Sequence, residues 1–274
     1  MISAEQLQLN TVRIEAETGN GSATGTGFFV DFDIEEGGQT HTVPVIVTNK
    51  HVISGGLRGK FRISIEGDER FKDITIENFE SRFIKHPDDV DLAILPFGPV
   101  LSTIVDSGFT PIFRTLSPNV FLQDSEAKKL DAVEDILMVG YPNGIWDNAN
   151  NKPVFRKGIT ATHVKDNYED RAEFMIDAAC FPGSSGSPVF LFNKGTFTNT
   201  DGSTVVGSRC KLLGVLYAGP QHSSTGEIKI KSVPTKNIPQ SHHLIPNNLG
   251  NIIKVNKLLD FEELLADIIR QSNL

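Results

Sequence analysis

The chain has 274 residues, 39% hydrophobic and 22% charged, with a net charge of −8. That length suffices for one large domain or two small ones burying roughly 75% of the unfolded surface, and the composition is that of an ordinary soluble globular protein. The acidic balance argues against a nucleic-acid backbone or an anionic membrane as the main partner.

The first ten residues carry neither the basic run nor the apolar stretch of a signal peptide, and no apolar run approaches the ~18 residues of a membrane span. Two cysteines, Cys180 and Cys210, are few for a disulfide-stapled secreted domain. They are expected to be free thiols in a cytoplasmic protein, which makes the sequon at Asn20 a chance occurrence.

In chain order, residues 26–30, 43–48, 61–65, 74–76 and 91–95 are rich in β-branched and aromatic residues. Gly37-Gly38, Gly55-Gly56, Gly67-Asp68 and Pro87-Asp88-Asp89 separate them, a spacing that predicts an all-β sandwich or barrel. Residues 114–133 have mixed charge and little β pattern, and read as a linker. A second set of short strands follows at 136–140, 154–155, 159–162, 173–176, 188–192 and 211–217. Asp201-Gly202 within 193–208 predicts a surface hairpin. Residues 220–248, rich in Ser, His, Pro and Asn, read as a long irregular loop. At the end the period changes: Leu258, Phe261, Leu265 and Ile268 mark an amphipathic helix that packs on the body, with Asp260 and Glu263 as a capping box. The expected division is an N-terminal β unit (1–113), a linker (114–133), a C-terminal β unit (134–255) and a helix (256–274).

Three segments carry chemistry. Thr48-Asn-Lys-His51-Val follows an apolar strand, Asp91 opens the strand Leu-Ala-Ile-Leu95, and Asp177-Ala-Ala-Cys-Phe-Pro-Gly-Ser-Ser185-Gly-Ser-Pro-Val189 leads through a Pro-Gly turn into another strand. Singly, each has a bland reading as a surface histidine, a capping acid or a flexible loop. Together they supply a nucleophile, a base and an orienting carboxylate. A serine hydroxyl needs an imidazole to take its proton, and the imidazole needs a carboxylate to fix its tautomer. The small residues around Ser185 let the amides of Gly183 and Ser185 converge on an oxyanion.

This order of His51, Asp91 and Ser185, with Pro182-Gly183-Ser-Ser185-Gly-Ser-Pro188, resembles the trypsin-like (chymotrypsin-fold) serine peptidases, and within them the bacterial HtrA/DegP-type protease domains. Gly140-Tyr-Pro-Asn-Gly144 and Leu249-Gly-Asn-Ile-Ile253 resemble their second-barrel turn and last strand. The resemblance spans about residues 10–270. It implies an all-β fold of two packed six-stranded antiparallel β-barrels with a C-terminal α-helix, the first carrying His51 and Asp91 and the second Ser185. It implies a serine endopeptidase working through an acyl-enzyme on protein or peptide substrates, with no cofactor, no metal, and no nucleic-acid or membrane partner. It places Gly183, Ser184 and Ser185 at the oxyanion hole, and Ala179, Cys180, Phe181, Tyr217, Ala218 and Gly219 around the substrate side chain. Ala179 stands where trypsin has the Asp that selects Arg or Lys, so small or medium apolar side chains are expected there.

The chain departs from the family in three places. Ser187 replaces a common Gly. Ser184 replaces the acid that zymogens pair with a freed N-terminus, so no cleavage switch is expected. The length after Ser185 leaves no room for a PDZ domain. A catalytically weak scaffold that binds peptides is the competing reading, disfavoured because all three triad positions are filled. An α/β-hydrolase elbow fails at Ser187. Cys180 reads as a pocket or buried residue, and Gly25-Thr26-Gly27 as a strand-entry turn beside the site. His41, His86, His163, His222, His242 and His243 show no metal spacing and read as surface or loop residues.

Overall fold

The computed structural model describes residues 2–219, 221–227 and 240–272. After a short helix α1 (Ala4–Gln8), the N-terminal half runs through β1 (Thr11–Thr18), β2 (Gly21–Glu36), β3 (Gln39–Thr48), helix α2 (Lys50–Ile53), β4 (Gly56–Ile65), β5 (Phe71–Glu77), β6 (Ile84–Lys85), β7 (Ala93–Pro96), helix α3 (Gly98–Asp106) and β8 (Pro111–Ile112). These strands form one antiparallel sheet in the order β5-β4-β1-β2-β3-β7-β6, with β8 beside β4.

Helix α4 (Asp124–Ala127) precedes the C-terminal half. There β9 (Asp135–Gly140), β10 (Val154–Thr160), β11 (Glu173–Asp177), β12 (Pro188–Asn193), the pair β13 (Thr196–Thr198) and β14 (Thr204–Val206), and β15 (Arg209–Ala218) come first. Then follow β16 (Gln221–Glu227), β17 (Gln240–Pro246), β18 (Leu249–Lys254) and the terminal helix α5 (Phe261–Ser272). Six of these strands close into a barrel in the order β10-β11-β18-β15-β12-β9.

The apolar run Phe28-Phe29-Val30 is continuous because β2 is buried on both faces, as strand alternation demands. Phe28, Val30 and Phe32 join a core that continues into the closed barrel through Met138, Phe190 and Leu212. Phe29 faces the other way, into the core of the N-terminal half with Ile46 and Phe97. Val45 and Val47 of β3 split from Ile46 in the same manner. One of the two core clusters therefore spans both halves, while the second belongs to the N-terminal half alone.

Two expectations are corrected in detail. The N-terminal sheet has eight strands in an open path, not six in a closed ring. Pro96 ends β7 without an N–H to donate, and Pro99 sits in the first turn of α3 soon afterwards. A cleft of about 570 Å³ lies between Ile74 and Ile76 of β5, Leu95 of β7 and Val100 of α3. Within 220–248, read as irregular, β16 and β17 pair antiparallel from Gln221↔Pro246 to Glu227↔Gln240. Their sequences lack apolar alternation, so only backbone pairing marks them as strands; residues 220 and 228–239 of that reading lie outside the described residues. The hairpin expected around Asp201-Gly202 is β13–β14.

Candidate active site

The register of β3 against β7 sets Thr48 opposite Ala93. Three residues on from Thr48 and two back from Ala93 the chains reach His51 and Asp91 at the same end of the sheet. His51 sits on the single turn of α2, where its backbone N–H donates to Asp91 Oδ1 at 3.0 Å and its Nδ1 lies 2.5 Å from Asp91 Oδ2. Asn49 Nδ2 donates to the Asp91 carbonyl at 2.7 Å, and Lys50 Nζ to the Asp88 carbonyl at 2.8 Å. Four contacts thus fix the two segments on each other, and the imidazole keeps its Nε2 edge for solvent, since the His51 side chain is 49% exposed.

Ser185 lies on the turn between β11 and β12. Gly183 and Gly186 both adopt left-handed conformations, with φ +83° and +84°. A Cβ on Gly186 would stand 1.9 Å from the Thr26 carbonyl oxygen, so no other residue fits there. The Pro182 carbonyl accepts from Asn143 N–H at 2.5 Å, and the Ser184 carbonyl from Ser187 N–H at 2.9 Å. None of the described peptide bonds is cis, so the Gly183 and Ser185 N–H groups point opposite to those two carbonyls. Both N–H groups are without a partner among the described residues. The Ser184 N–H, by contrast, closes the turn onto the Phe181 carbonyl at 3.0 Å. Ser184 is therefore removed from the expected oxyanion donors, because its one backbone donor is committed. The Ser185 hydroxyl donates to the Tyr217 carbonyl at 3.4 Å.

Of the expected substrate-pocket residues, Cys180 is buried and Phe181 is 37% exposed. Burial pushes the Cys180 thiol up to about 11. Gly250 lies under this thiol: a Cβ there would meet Cys180 Sγ at 2.6 Å, and one on Gly219 would meet the Leu249 carbonyl at 2.9 Å. Tyr217 donates its hydroxyl to Glu173 at 2.8 Å. Beside His51, a cleft of about 410 Å³ is lined by Lys50, Asp89, Arg171, Glu173 and Tyr217.

Arg156 was not read from the sequence at all, and Thr26, Asn143 and Gly250 were read only as parts of a turn beside the site, a second-barrel turn and a last strand, without their contacts. Thr26, inside β2 and not at a strand-entry turn, donates its Oγ1 to the Gly183 carbonyl at 3.1 Å and accepts from Tyr141 N–H at 3.1 Å and Ser187 Oγ at 3.3 Å. Its own N–H donates to the Ser185 carbonyl at 2.8 Å. Arg156 Nη1 donates to the Ser184 hydroxyl at 2.9 Å and to the Ala179 carbonyl.

His86, expected at the surface, is only 2% exposed. With Asp88 and Asp260 it forms a cluster within ligand reach of a single point. The cluster is already satisfied: His86 Nε2 meets Asp260 Oδ2 at 3.0 Å, Nδ1 accepts the Asp88 N–H at 3.1 Å, and Lys257 Nζ lies 2.8 Å from Asp260 and 3.4 Å from Asp88. With both ring nitrogens engaged and a lysine between the acids, it is an ion-pair network and not a cation site. No described helix is long and apolar enough to cross a membrane.

The family model described as a trypsin-like peptidase domain matches residues 25–198. No curated protein matches the chain. Among solved structures, the active form of the Rv3671c protease from M. tuberculosis is similar at 14% identity, over 92% of this chain and 78% of its own, with a TM-score of 0.44. The HtrA-type protease AlgW with tripeptide is 15% identical over 96% of this chain, at a TM-score of 0.48; the match spans 62% of AlgW, under two thirds of its length. The catalytically inactive tobacco etch virus protease complexed with substrate is 13% identical, over 97% and 86% of the two chains, at 0.49.

Proposed function

Because the chain belongs to the trypsin-like peptidase domain family, we propose that it is a serine endopeptidase acting through Ser185, His51 and Asp91. The observation that carries this reading is the His51–Asp91 pair at 2.5 Å together with a turn whose Gly183 and Ser185 N–H groups have no partner among the described residues. Asp91 holds the Nδ1–H tautomer, so Nε2 is the free base. Ser185 Oγ exchanges the Tyr217 carbonyl for His51 Nε2, gives up its proton and attacks the substrate carbonyl. The oxyanion forms against the Gly183 and Ser185 amides, each such donor being worth roughly 2.7–4 kcal/mol of barrier. His51 then protonates the leaving amine, and water hydrolyses the acyl-enzyme by the same route in reverse.

The test is labelling with a fluorophosphonate probe and location of the adduct by mass spectrometry. A single adduct on Ser185, abolished by Ser185→Ala together with peptide cleavage, is the expected result. An unlabelled protein overturns the reading in favour of a peptide-binding scaffold, and an adduct on another residue overturns the assignment of Ser185 as nucleophile.

A further inference from the structure

Arg156 lies in mid-β10, opposite Met138 of β9. It points beneath the nucleophile turn, where Nη1 reaches both the Ala179 carbonyl and the Ser184 hydroxyl. These acceptors stand at the two ends of the segment that contains Gly183. Nε and Nη2 are buried and have no partner among the described residues. Burial pushes the guanidinium down to about 10. The one titratable neighbour that acts on it is Cys180, whose own burial favours the neutral thiol, so no carboxylate compensates the charge. A buried cation without a counter-charge is destabilising, and an apolar side chain of similar volume would serve stability better. Its contacts account for its presence in another way. A turn with two left-handed glycines is soft, and a flip of the Pro182–Gly183 peptide would aim a carbonyl, not an N–H, at the oxyanion. Asn143 holds that peptide from one side; Arg156 holds both of its flanks.

We propose that Arg156 is the positioning residue of the nucleophile turn, its guanidinium bridging Ala179 and Ser184 so that the Gly183 and Ser185 amides stay in the oxyanion-binding arrangement with no cleavage of the chain. Ser184, in place of an acid, is the acceptor such an internal cation requires. The proposal rests on the serine-peptidase reading, so its test includes an arm that needs no catalysis.

In the Ser185→Ala background, Arg156→Gln should speed amide hydrogen exchange across residues 179–186 by about tenfold or more, as expected for losing charge-assisted hydrogen bonds, while strands β1–β5 exchange as before. In the active enzyme, Arg156→Gln should lower kcat by on the order of 10²-fold, comparable to loss of one oxyanion donor, with KM held within about twofold. Arg156→Lys should recover part of it. Should Arg156→Gln not fold, Ser184→Ala removes one arm of the bridge and should lower kcat about tenfold by the same reasoning. Unchanged exchange at 179–186, or an unchanged kcat in a variant that exchanges faster, overturns the proposal. Failure of the wild-type chain to take the fluorophosphonate label overturns the peptidase reading instead, and the exchange arm still decides the clamp.

Discussion

Asp91 makes three bonds to the segment bearing His51, two from its carboxylate and one at its carbonyl. Asp91→Asn keeps the shape and the carbonyl contact but offers the imidazole an amide, which favours the wrong tautomer. It should slow turnover by roughly 10⁴-fold while the thermal midpoint, followed by circular dichroism, stays near that of the wild type. A nearly wild-type rate would give the role to Asp88 or Asp89. The thiols of Cys180 and Cys210 are both pushed up from 9.0 to about 11 by burial. At pH 8 such a thiol is about 10⁻³ ionised, so alkylation should run about a hundredfold slower than for an ordinary cysteine and quicken as pH approaches 11. The raised folded-state values mean that this contribution to stability is complete below pH 9 and is lost as pH rises through 11. Rapid modification by iodoacetamide at pH 8 would contradict this. Around the substrate side chain, uncharged Ala179 has the Arg156 cation on its carbonyl, and Cys180 fills the space over Gly250. A basic substrate residue there would be buried without a counter-charge, against a penalty of several kcal/mol. Cleavage of a peptide library should therefore favour Ala, Val or Leu before the cut bond; a profile led by Arg or Lys would refute the assignment of this pocket.

Among the elements, α5 repays a test because its role is packing alone. Leu258, Phe261 and Leu265 are at most 2% exposed. Phe261→Ala should cost about 3–5 kcal/mol, read from urea denaturation, with little effect on KM. The helix was legible because its apolar spacing follows the 3.6-residue period, and the β13–β14 hairpin because Asp201-Gly202 is local turn chemistry. The expected capping role of Asp260 was not fulfilled: its carboxylate goes to His86 and Lys257, partners that no local pattern reveals. Strands β6 and β8 have two residues each, too short for any periodicity to register. The pair β16–β17 lacks the apolar alternation by which strands are recognised.

Across the whole molecule, Thr26 ties the N-terminal sheet to the nucleophile turn. Its hydroxyl makes one hydrogen bond as donor and two as acceptor, all buried. Thr26→Val preserves volume and strands those partners, so it should cost about 2–4 kcal/mol and lower activity together with stability. Because one core cluster spans both halves, denaturation should remain a single transition by both far- and near-ultraviolet circular dichroism; two separated transitions would show the halves to be independent. His51, Asp91 and Ser185 stood out as candidates because each lies in a short motif adjoining an apolar strand. The contacts of Thr26, Asn143 and Arg156 were not legible, because their partners lie far along the chain: Thr26 bonds residues 115, 157 and 161 positions away.

Those separations have a consequence for synthesis. A ribosome adding roughly 5–20 residues per second presents the His51–Asp91 pair seconds before Ser185 exists. Pairings of such long range also close slowly once the chain is complete, since loop entropy opposes them. On the serine-peptidase reading, a half-made chain holds a base without a nucleophile, and the bonds from Thr26 to Gly183 and Ser185 can form only after both segments are made. On that reading, no peptide bond is at risk from the growing chain until the segment bearing Ser185 has been added.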